Sequence, residues 1–254
     1  MALFAISYDE VPALADFAQK HAIAFPLLSD GDSIQIKALG MLDLDLGEHH
    51  ASFGVTTRDD QRGVAYPMTF VLDTKGRVAS KFAETNYRTR NGAQWLLRLL
   101  TGESVASAGV AASTRADVVT AVVRLDAAGY FAYQRLGLHV RLVTEPGWHV
   151  YGPTVPHGFT PLSIHLANAP AGLSLGEIRW PPTTPFRIKG LAERFEVYGG
   201  ALELDIPIQF VINRGSGSAR FDVRIEYQAC NPTECHPPSA LVTSFDVPEE
   251  AVPA

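Results

Sequence analysis

Two cysteines are the residues of this chain whose type and spacing could do chemistry. Cys230 and Cys235 are the only cysteines among 254 residues, and four residues separate them. Prolines lie within and directly after the pair, so the segment predicts a tight turn and not a turn of helix. The flanking residues 221–227 and 241–247 alternate apolar and polar side chains, as strands do. The sequence therefore predicts a hairpin with the cysteines at its tip.

Three roles are open to this pair: redox exchange, a structural bridge or a metal site. A bridge across so short a loop limits the unfolded chain by only about 2 kcal/mol. A domain of more than 100 residues can also bury its own core. A structural zinc site needs four ligands, and His236 beside Cys235 has no second paired motif to complete it. We therefore favour redox exchange and predict neither a metal nor a cofactor.

Thiol–disulfide exchange requires one of the two cysteines to be exposed and partly ionised, because the thiolate is the attacking group. His236 is the cationic candidate beside the pair and, if protonated, would favour a thiolate. Glu234 opposes it. We predict Cys230 and Cys235 as the catalytic residues and leave open which of them attacks.

The cysteine segment resembles the hairpin of the N-terminal periplasmic domain of the DsbD family, which are membrane thiol-disulfide reductases. Similar family segments fall over about residues 117 to 248, at Pro146–Tyr151, Gly176–Pro181, Phe195–Gly199 and Tyr227–Pro238. The resemblance implies an all-β immunoglobulin-like sandwich and a periplasmic or extracytoplasmic location. The implied partner is a thioredoxin-like protein or a membrane thiol-disulfide reductase domain, from which the pair passes electrons to client disulfides. The cysteine spacing here is shorter than in the family's best-known member.

The same resemblance implies an access cap. Phe195 and Tyr198 would belong to a loop that lies over the cysteine hairpin and excludes water and stray thiols until a partner displaces it. The alternative is that both aromatic side chains are core packing.

Charge and composition exclude several classes of partner. The net charge is -6 and the pI is near 5.7, with no basic block, which argues against nucleic acid and anionic lipid. No apolar run approaches the 18 residues that a membrane span needs.

The N-terminal part alternates helices and strands, which predicts an α/β layer. We expect a buried strand at 1–7, a helix from Val11, a strand at 25–28, a helix capped by Ser29 and Asp30 that stops at Gly40, a long loop at 43–66, a hairpin at 67–82 and a helix at 91–100. The polar loop contains Glu48, His49 and His50, which we interpret as solvated residues rather than metal ligands.

These residues resemble the later part of a peroxiredoxin of the alkyl hydroperoxide reductase and thiol-specific antioxidant family, over about residues 3 to 100. The matching phrases are Ala5–Asp9, Phe25–Asp30 and Tyr66–Asp73. The resemblance implies an incomplete thioredoxin-like fold in which Pro67 is the cis-proline. The family's first strand and its cysteine-bearing helix have no counterpart, and no cysteine precedes Cys230. We therefore expect no peroxidase activity from this chain alone.

Small and polar residues at 103–116 predict a linker. The domains are then an α/β domain at 1–102 and a sandwich at 117–250. In the sandwich, strands are predicted at 118–125, 138–143, 162–166 and 202–211.

The start of the chain is hard to reconcile with these assignments. A thioredoxin-like sheet that begins at Leu3 lacks its opening strand and would expose apolar surface, and no export signal precedes it. We expect that Met1 is an internal or misassigned start. Two other functions stay open: a non-enzymatic interaction module with a structural disulfide, and a truncated thiol peroxidase.

Overall fold

The computed structural model describes residues 2–52, 54–58, 61, 63–84, 87–101, 109–187, 194–212 and 217–251. The chain divides into two compact units, Met1–Tyr87 and Arg88–Ala254. This division falls earlier in the sequence than the expected linker at 103–116. Of that linker, residues 103–108 lie outside the described ranges, whereas Ala111–Ala116 form a strand.

The first unit is a mixed α/β structure. Strands β1 (Ala5–Ser7) and β2 (Leu27–Ser29) pair in parallel, with helix α1 (Val11–Lys20) between them in the chain. Two shorter helices follow, α2 (Ile34–Ala38) and α3 (Leu46–Ser52). Strands β3 (Met68–Leu72) and β4 (Val78–Ala83) then form the predicted antiparallel hairpin. Helix α3 lies where the sequence predicts only a loop, so that part of the assignment is wrong.

The carboxylate of Asp30 caps the second helix, as the sequence predicts, whereas Ser29 is the last residue of β2. The carboxylate of Asp30 accepts hydrogen bonds from the backbone N–H groups of Ile34 and Ile36, at 3.1 and 2.8 Å. These are two of the donors that a helix leaves unpaired at its N-terminus. The helix ends before Gly40, whose φ of +66° is readily adopted by glycine.

The first strand forms as predicted, but its expected burial is wrong. Leu3 and Phe4 are 62 and 58 per cent exposed, and α1 has no buried residue. The described part of this unit has two separate two-stranded sheets and three helices, which leave apolar side chains on a surface. The large exposed apolar residues of the unit are Leu3, Phe4, Ile6, Val11, Phe17, Leu28, Ile34, Leu39, Leu44, Val55, Leu72 and Val78.

The two neighbouring histidines of the first unit have hydrogen-bond partners. The Nδ1 atom of His49 lies 2.7 Å from Oδ2 of the buried Asp43, and the hydroxyl of Tyr87 donates to the same oxygen. His50 lies 3.0 Å from Oγ1 of Thr57. Burial raises the pKa of Asp43, but the surrounding hydrogen bonds outweigh it and lower the pKa overall. These histidines are therefore part of a hydrogen-bonded cluster and not of a solvated loop.

The second unit is β-rich, as predicted, and two of its sheets, with six and three strands, enclose the main core. One has the order β11 (Leu173–Leu175), β14 (Ala201–Phe210), β8 (Gln134–Thr144), β7 (Val119–Leu125), β6 (Ala111–Ala116), with β5 (Arg90–Asn91) also paired to β8. The other has the order β10 (Ser163–Ala167), β15 (Ser218–Tyr227), β17 (Ser239–Pro248). Alternate side chains of these strands are buried between the sheets, as the period of two requires.

Helix α4 (Ala93–Thr101) belongs to this second unit, which accounts for the early boundary. Its Trp95 is 6 per cent exposed and packs where Gly137 of β8 leaves room. A Cβ atom at Gly137 would lie 2.7 Å from the Trp95 ring. The Nε atom of Arg98 also donates to Asp205 of β14, at 2.7 Å. These non-local contacts fix the helix to the sheet.

A third, four-stranded sheet in this unit has the order β12 (Thr184–Phe186), β13 (Phe195–Gly199), β9 (His149–Tyr151), β16 (Ala229–Cys230). It carries one of the two cysteines. Among the residues that the structure describes, no helix is both long and apolar enough to cross a membrane.

Candidate functional site

A disulfide joins Cys230 and Cys235 in the segment that connects β15 to β17. The two long strands pair as far as Tyr227 and Ser239, and the cysteines face each other across an isolated antiparallel bridge beyond that point. Their Cα atoms are 4.1 Å apart. The predicted hairpin is confirmed.

The turn between the cysteines is organised by Asn231. Its side-chain oxygen accepts hydrogen bonds from the backbone N–H groups of Thr233 and Glu234, each at 2.9 Å. Its own backbone N–H donates to the carbonyl of Glu234, also at 2.9 Å. An asparagine that satisfies the backbone in this way holds a tight turn in one conformation. The turn presents Cys235 next to Cys230.

The four-stranded sheet buries both of its faces. Val150, Tyr198 and Ala229 point into the main core. The residues of the opposite face form a second, smaller cluster, which we call the cysteine cluster. Its members are Tyr151, Phe195, Val197 and Cys230, with Val155, Phe159, Phe186 and Cys235 packed partly buried against them.

The two sulfurs differ in exposure. Cys230 is fully buried, whereas Cys235 is only partly buried. The hydroxyl of Tyr151 lies 3.0 Å from Sγ of Cys230 and 3.5 Å from Sγ of Cys235. Because disulfide sulfurs carry no hydrogen, the tyrosine is the donor in both contacts. Burial raises the pKa of Tyr151 to about 12, so this hydroxyl keeps its proton at neutral pH.

The structure separates the two expected cap residues. Phe195 lies in the cysteine cluster, with its ring 5.1 Å from that of Tyr151 and 4.7 Å from that of Phe159. Tyr198 points into the main core, and its hydroxyl donates to the carbonyl of Pro181 at 2.8 Å. The expectation that Tyr198 covers the cysteines is wrong, because residues three apart on a strand point to opposite faces.

The His236 side chain contacts Asp117 and Trp148. Its Nδ1 atom forms a hydrogen bond with the carboxylate of Asp117, and its ring lies 4.2 Å from the ring of Trp148. A carboxylate beside the imidazole offsets any positive charge that the ring would bring to the cysteines. The electrostatic role expected of His236 is therefore not supported by its surroundings.

His149 lies opposite Cys230 in the four-stranded sheet. It is the cross-strand partner of Cys230 on β9 and β16, two residues from Tyr151 on the same face. The side chain is 5 per cent exposed, and its ring centroid lies 3.8 Å from that of Phe186. Burial lowers the pKa of His149 to about 4, so the imidazole is neutral at pH 7. Its Nε2 atom is buried without a hydrogen-bond partner among the described residues.

Two other site expectations concern Pro67 and metals. No cis peptide bond occurs in the described ranges, so the assignment of Pro67 as a cis-proline is wrong. It lies just before β3 in the first unit. Within the same ranges, no three side chains of His, Cys, Asp or Glu gather as a metal site would require.

Sequence reasoning assigned no role to Tyr151 or His149. The segment that contains them is visible in the sequence as a family-like run, but its pairing with Cys230 is a contact over about 80 residues. The local signal is that His149 and Tyr151, two aromatic side chains with polar groups, flank Val150 on a short strand. It becomes informative only once β9 is known to lie beside β16.

The second unit is thus a β-rich fold whose partly accessible disulfide lies outside the main core, on the far face of a small sheet. Residues 120–246, half of the chain, match the family described as the N-terminal part of the thiol:disulfide interchange protein DsbD, and the chain belongs to that family. Residues 1–81 match the AhpC/TSA family. Both resemblances seen in the sequence are confirmed. No curated protein matches the chain.

Solved structures show weaker likenesses. The N-terminal periplasmic domain of ScsB from Proteus mirabilis is 12% identical, with a TM-score of 0.36, over 56% of this chain and 50% of that chain, so the match spans half of that protein. The N-terminal domain of DsbD from Neisseria meningitidis, in its reduced form, is 21% identical with a TM-score of 0.29, over 45% and 78%. The GAE domain of GGA2p from Saccharomyces cerevisiae is 9% identical with a TM-score of 0.32, over 56% and 100%. At these TM-scores, we base no argument on them.

Proposed function

We propose that this chain is a thiol-disulfide exchange protein that works in the periplasm or another extracytoplasmic compartment. Its Cys230–Cys235 pair takes electrons from a thioredoxin-like protein or a membrane thiol-disulfide reductase domain and passes them to client disulfides. The observation that carries the proposal is the unequal exposure of two bonded sulfurs in a cluster separate from the main core. A staple that only held the fold would not need one accessible sulfur.

The difference in exposure sets the order of steps. A partner thiolate attacks Sγ of the accessible Cys235, the disulfide breaks, and its electron pair goes to Sγ of Cys230. The partner's second thiol, once deprotonated, then attacks the partner's first sulfur, which is bonded to Cys235 in the mixed disulfide, and releases Cys235. Two electrons and two protons pass in total from the partner dithiol to the pair. The reverse sequence reduces a client disulfide.

Tyr151 assists the first of these steps. Its hydroxyl already lies 3.0 Å from Sγ of Cys230, the sulfur that leaves with a negative charge. A thiolate in a buried, apolar cluster is unfavourable unless it is hydrogen-bonded. A neutral donor with a pKa near 12 supplies that hydrogen bond at neutral pH.

Phe195 limits access to the same cluster in this proposal. It is 1 per cent exposed and packs on Tyr151, so it occupies space beside the sulfurs. Phe195 is the first residue of β13 and does not lie in a loop. Displacement of this ring by a partner would open the way to Cys235.

The first unit adds a thioredoxin-like module of peroxiredoxin type in this proposal. Its match to the AhpC/TSA family covers residues 1–81, and the sequence has no cysteine in that range. Peroxidase chemistry needs a thiolate nucleophile. The module therefore acts by contact with other proteins and not by its own thiol.

The test is exchange with a protein dithiol. Purified full chain is incubated with reduced thioredoxin, and free thiols are counted by alkylation and gel shift, with Cys230→Ser and Cys235→Ser as controls. We expect one disulfide to open under native conditions in the wild type, and no gain in free thiols in Cys230→Ser or Cys235→Ser, because neither variant can form the bridge. A bridge that resists thioredoxin but opens after denaturation would contradict the proposal.

A non-enzymatic interaction module is the second candidate, and the exposed apolar surface of the first unit favours it. Apolar surface of this kind commonly marks a protein contact. The same experiment separates the two: a disulfide inert to thioredoxin assigns the cysteines a structural role, and the interaction module then remains.

A further inference from the structure

The buried imidazole of His149 has an unsatisfied polar atom in the oxidised protein. Nε2 is buried and finds no hydrogen-bond partner among the described residues. A buried polar group without a partner destabilises the state in which it occurs. Such a group calls for an explanation, and one is that its partner forms in another state of the molecule.

The neighbour that changes between states is Cys230. His149 and Cys230 are directly opposed residues on β9 and β16, so their Cβ atoms are about 4.5 to 5.5 Å apart. In the oxidised protein Sγ of Cys230 is bonded to Cys235 and carries no hydrogen. After reduction it becomes a thiol, which can rotate about its Cα–Cβ bond and donate a hydrogen bond.

We infer that His149 stabilises the reduced pair, because the Cys230 thiol becomes the partner that Nε2 lacks in the disulfide form. His149 is thus a positioning residue that shifts the redox equilibrium toward the dithiol. The biological meaning of this bias rests on the proposed exchange function, since a donor of electrons to client disulfides must be readily reduced by its own partner.

The surroundings of His149 support a neutral, uncharged role. The residues that face it from neighbouring strands are Gly199 on β13 and Cys230 on β16, and Phe186 covers its ring. None of them is charged. The titratable group on its own strand is the Tyr151 hydroxyl, which stays protonated at neutral pH. Burial alone depresses the pKa of His149, so the ring accepts a hydrogen bond as neutral imidazole.

The reaction needs no further reagent than a dithiol. In a dithiothreitol redox buffer, reduced dithiothreitol gives two electrons and two protons to the pair and becomes its own cyclic disulfide. The Cys230–Cys235 bond breaks and two thiols form. His149 changes the position of this equilibrium without being consumed.

The first test compares redox equilibria of the full chain. The ratio of dithiol to disulfide is measured by alkylation in dithiothreitol buffers at pH 7 for the wild type, His149→Phe, His149→Gln and the exposed control His165→Phe. We expect His149→Phe to shift the equilibrium about fivefold toward the disulfide, the size of one net hydrogen bond. His149→Gln, which keeps a polar acceptor, retains most of the wild-type ratio, and His165→Phe matches the wild type. An unchanged ratio in His149→Phe overturns the inference.

The second test separates this role from simple packing. The melting temperature of each variant is measured in the oxidised and reduced forms. His149→Phe removes the unsatisfied atom, so its oxidised form is at least as stable as the wild type, whereas its reduced form loses stability. A fall of equal size in both forms would mark His149 as ordinary core and contradict the inference.

A third measurement uses the wild type and does not depend on the folding of a variant. In protein labelled with 15N-histidine, the Nε2 resonance of His149 shifts upon reduction if the thiol donates to it, and an unmoved resonance overturns the inference. These tests use a small dithiol. A pair that fails to exchange with thioredoxin would contradict the proposed function. The effect of His149 on the dithiol–disulfide equilibrium of the pair could still be measured with dithiothreitol.

Discussion

At the scale of single residues, the hydroxyl of Tyr151 contacts both sulfurs of the disulfide. It lies 3.5 Å from Sγ of Cys235 and 3.0 Å from Sγ of Cys230, the buried sulfur that leaves during reduction. Hydrogen bonds to charged groups are stronger than those to neutral ones. The contribution of this hydroxyl is therefore expected to grow as the thiolate forms.

Tyr151→Phe should slow reduction by thioredoxin about tenfold, since a hydrogen bond to a developing charge contributes roughly 1.5 kcal/mol. Rapid mixing followed by acid quench and alkylation gives the rate. Tyr198→Phe is the matched control, because its hydroxyl bonds to Pro181 on the other face of the sheet. Equal slowing in both variants would contradict a role for Tyr151 in the chemistry.

The pKa of His149 makes stability depend on pH. In the unfolded chain the imidazole binds a proton near pH 6.5, whereas in the folded chain it does so only near pH 4. Between these values the unfolded state binds more protons, so stability is full above pH 6.5 and falls as the pH drops toward 4. Between pH 7 and pH 4.5, the free energy of unfolding measured in urea should fall by about 2 kcal/mol more for the wild type than for His149→Gln. Parallel curves would exclude burial of this imidazole.

At the scale of elements, β13 connects the two cores. Its residues alternate between the cysteine cluster and the main core, so a change on one face should leave the other nearly intact. Phe195 and Val197 belong to the first, and Tyr198 to the second.

Phe195→Leu should speed reduction of the disulfide by a small dithiol several-fold, because a smaller side chain uncovers the sulfurs. The loss of stability should be only about 1 kcal/mol. Phe195→Ala is less suitable, since a fully buried phenylalanine costs about 3 to 5 kcal/mol when truncated. Phe221→Leu in the main core serves as control: it should lower the melting temperature without changing the rate. An unchanged rate of reduction in Phe195→Leu would contradict the proposal that Phe195 limits access to the disulfide.

Helix α4 offers a second element-scale prediction. A methyl group at Gly137 would lie 2.7 Å from both the Trp95 ring and Oδ2 of Asp126. Gly137→Ala should therefore destabilise the second unit by roughly 1 to 3 kcal/mol in urea unfolding. Because Trp95→Leu makes room, the double variant should lose less than the sum of the single changes. Strict additivity would mean that the helix does not pack there.

At the scale of the whole molecule, each of the two units matches a different protein family, but only the second unit contains cysteines. Both cysteines are in the second unit, at positions 230 and 235. Residues 1–81, which match the AhpC/TSA family, contain no cysteine.

Purified full chain should show no cysteine-dependent reduction of hydroperoxides, because the first unit has no thiolate to attack the peroxide. Consumption of hydrogen peroxide in the presence of thioredoxin measures this. The variant in which both cysteines are replaced by serine is the control for background turnover. Peroxide reduction that is fast in the wild type and lost in this variant would contradict the prediction.

The sequence by itself determined the features that depend on near neighbours. Asp30 caps its helix, the residues at 68–83 form a hairpin, and the strands on either side of the cysteines alternate as predicted. Capping, turns and alternation act over a few residues, so their physical causes are present in the local sequence. The cysteine pair itself was identifiable for the same reason.

Tertiary structure alone decided which residues meet at the site. The pairing of β9 with β16 brings His149 and Tyr151 to Cys230 across about 80 residues, and the face of β13 sends Phe195 toward the sulfurs and Tyr198 away from them. Likewise, Trp95 attaches its helix to the second unit through room left at Gly137. Strand register and burial arise from contacts between distant segments. No local pattern encodes them, because a shift of one residue in register would reverse every side chain.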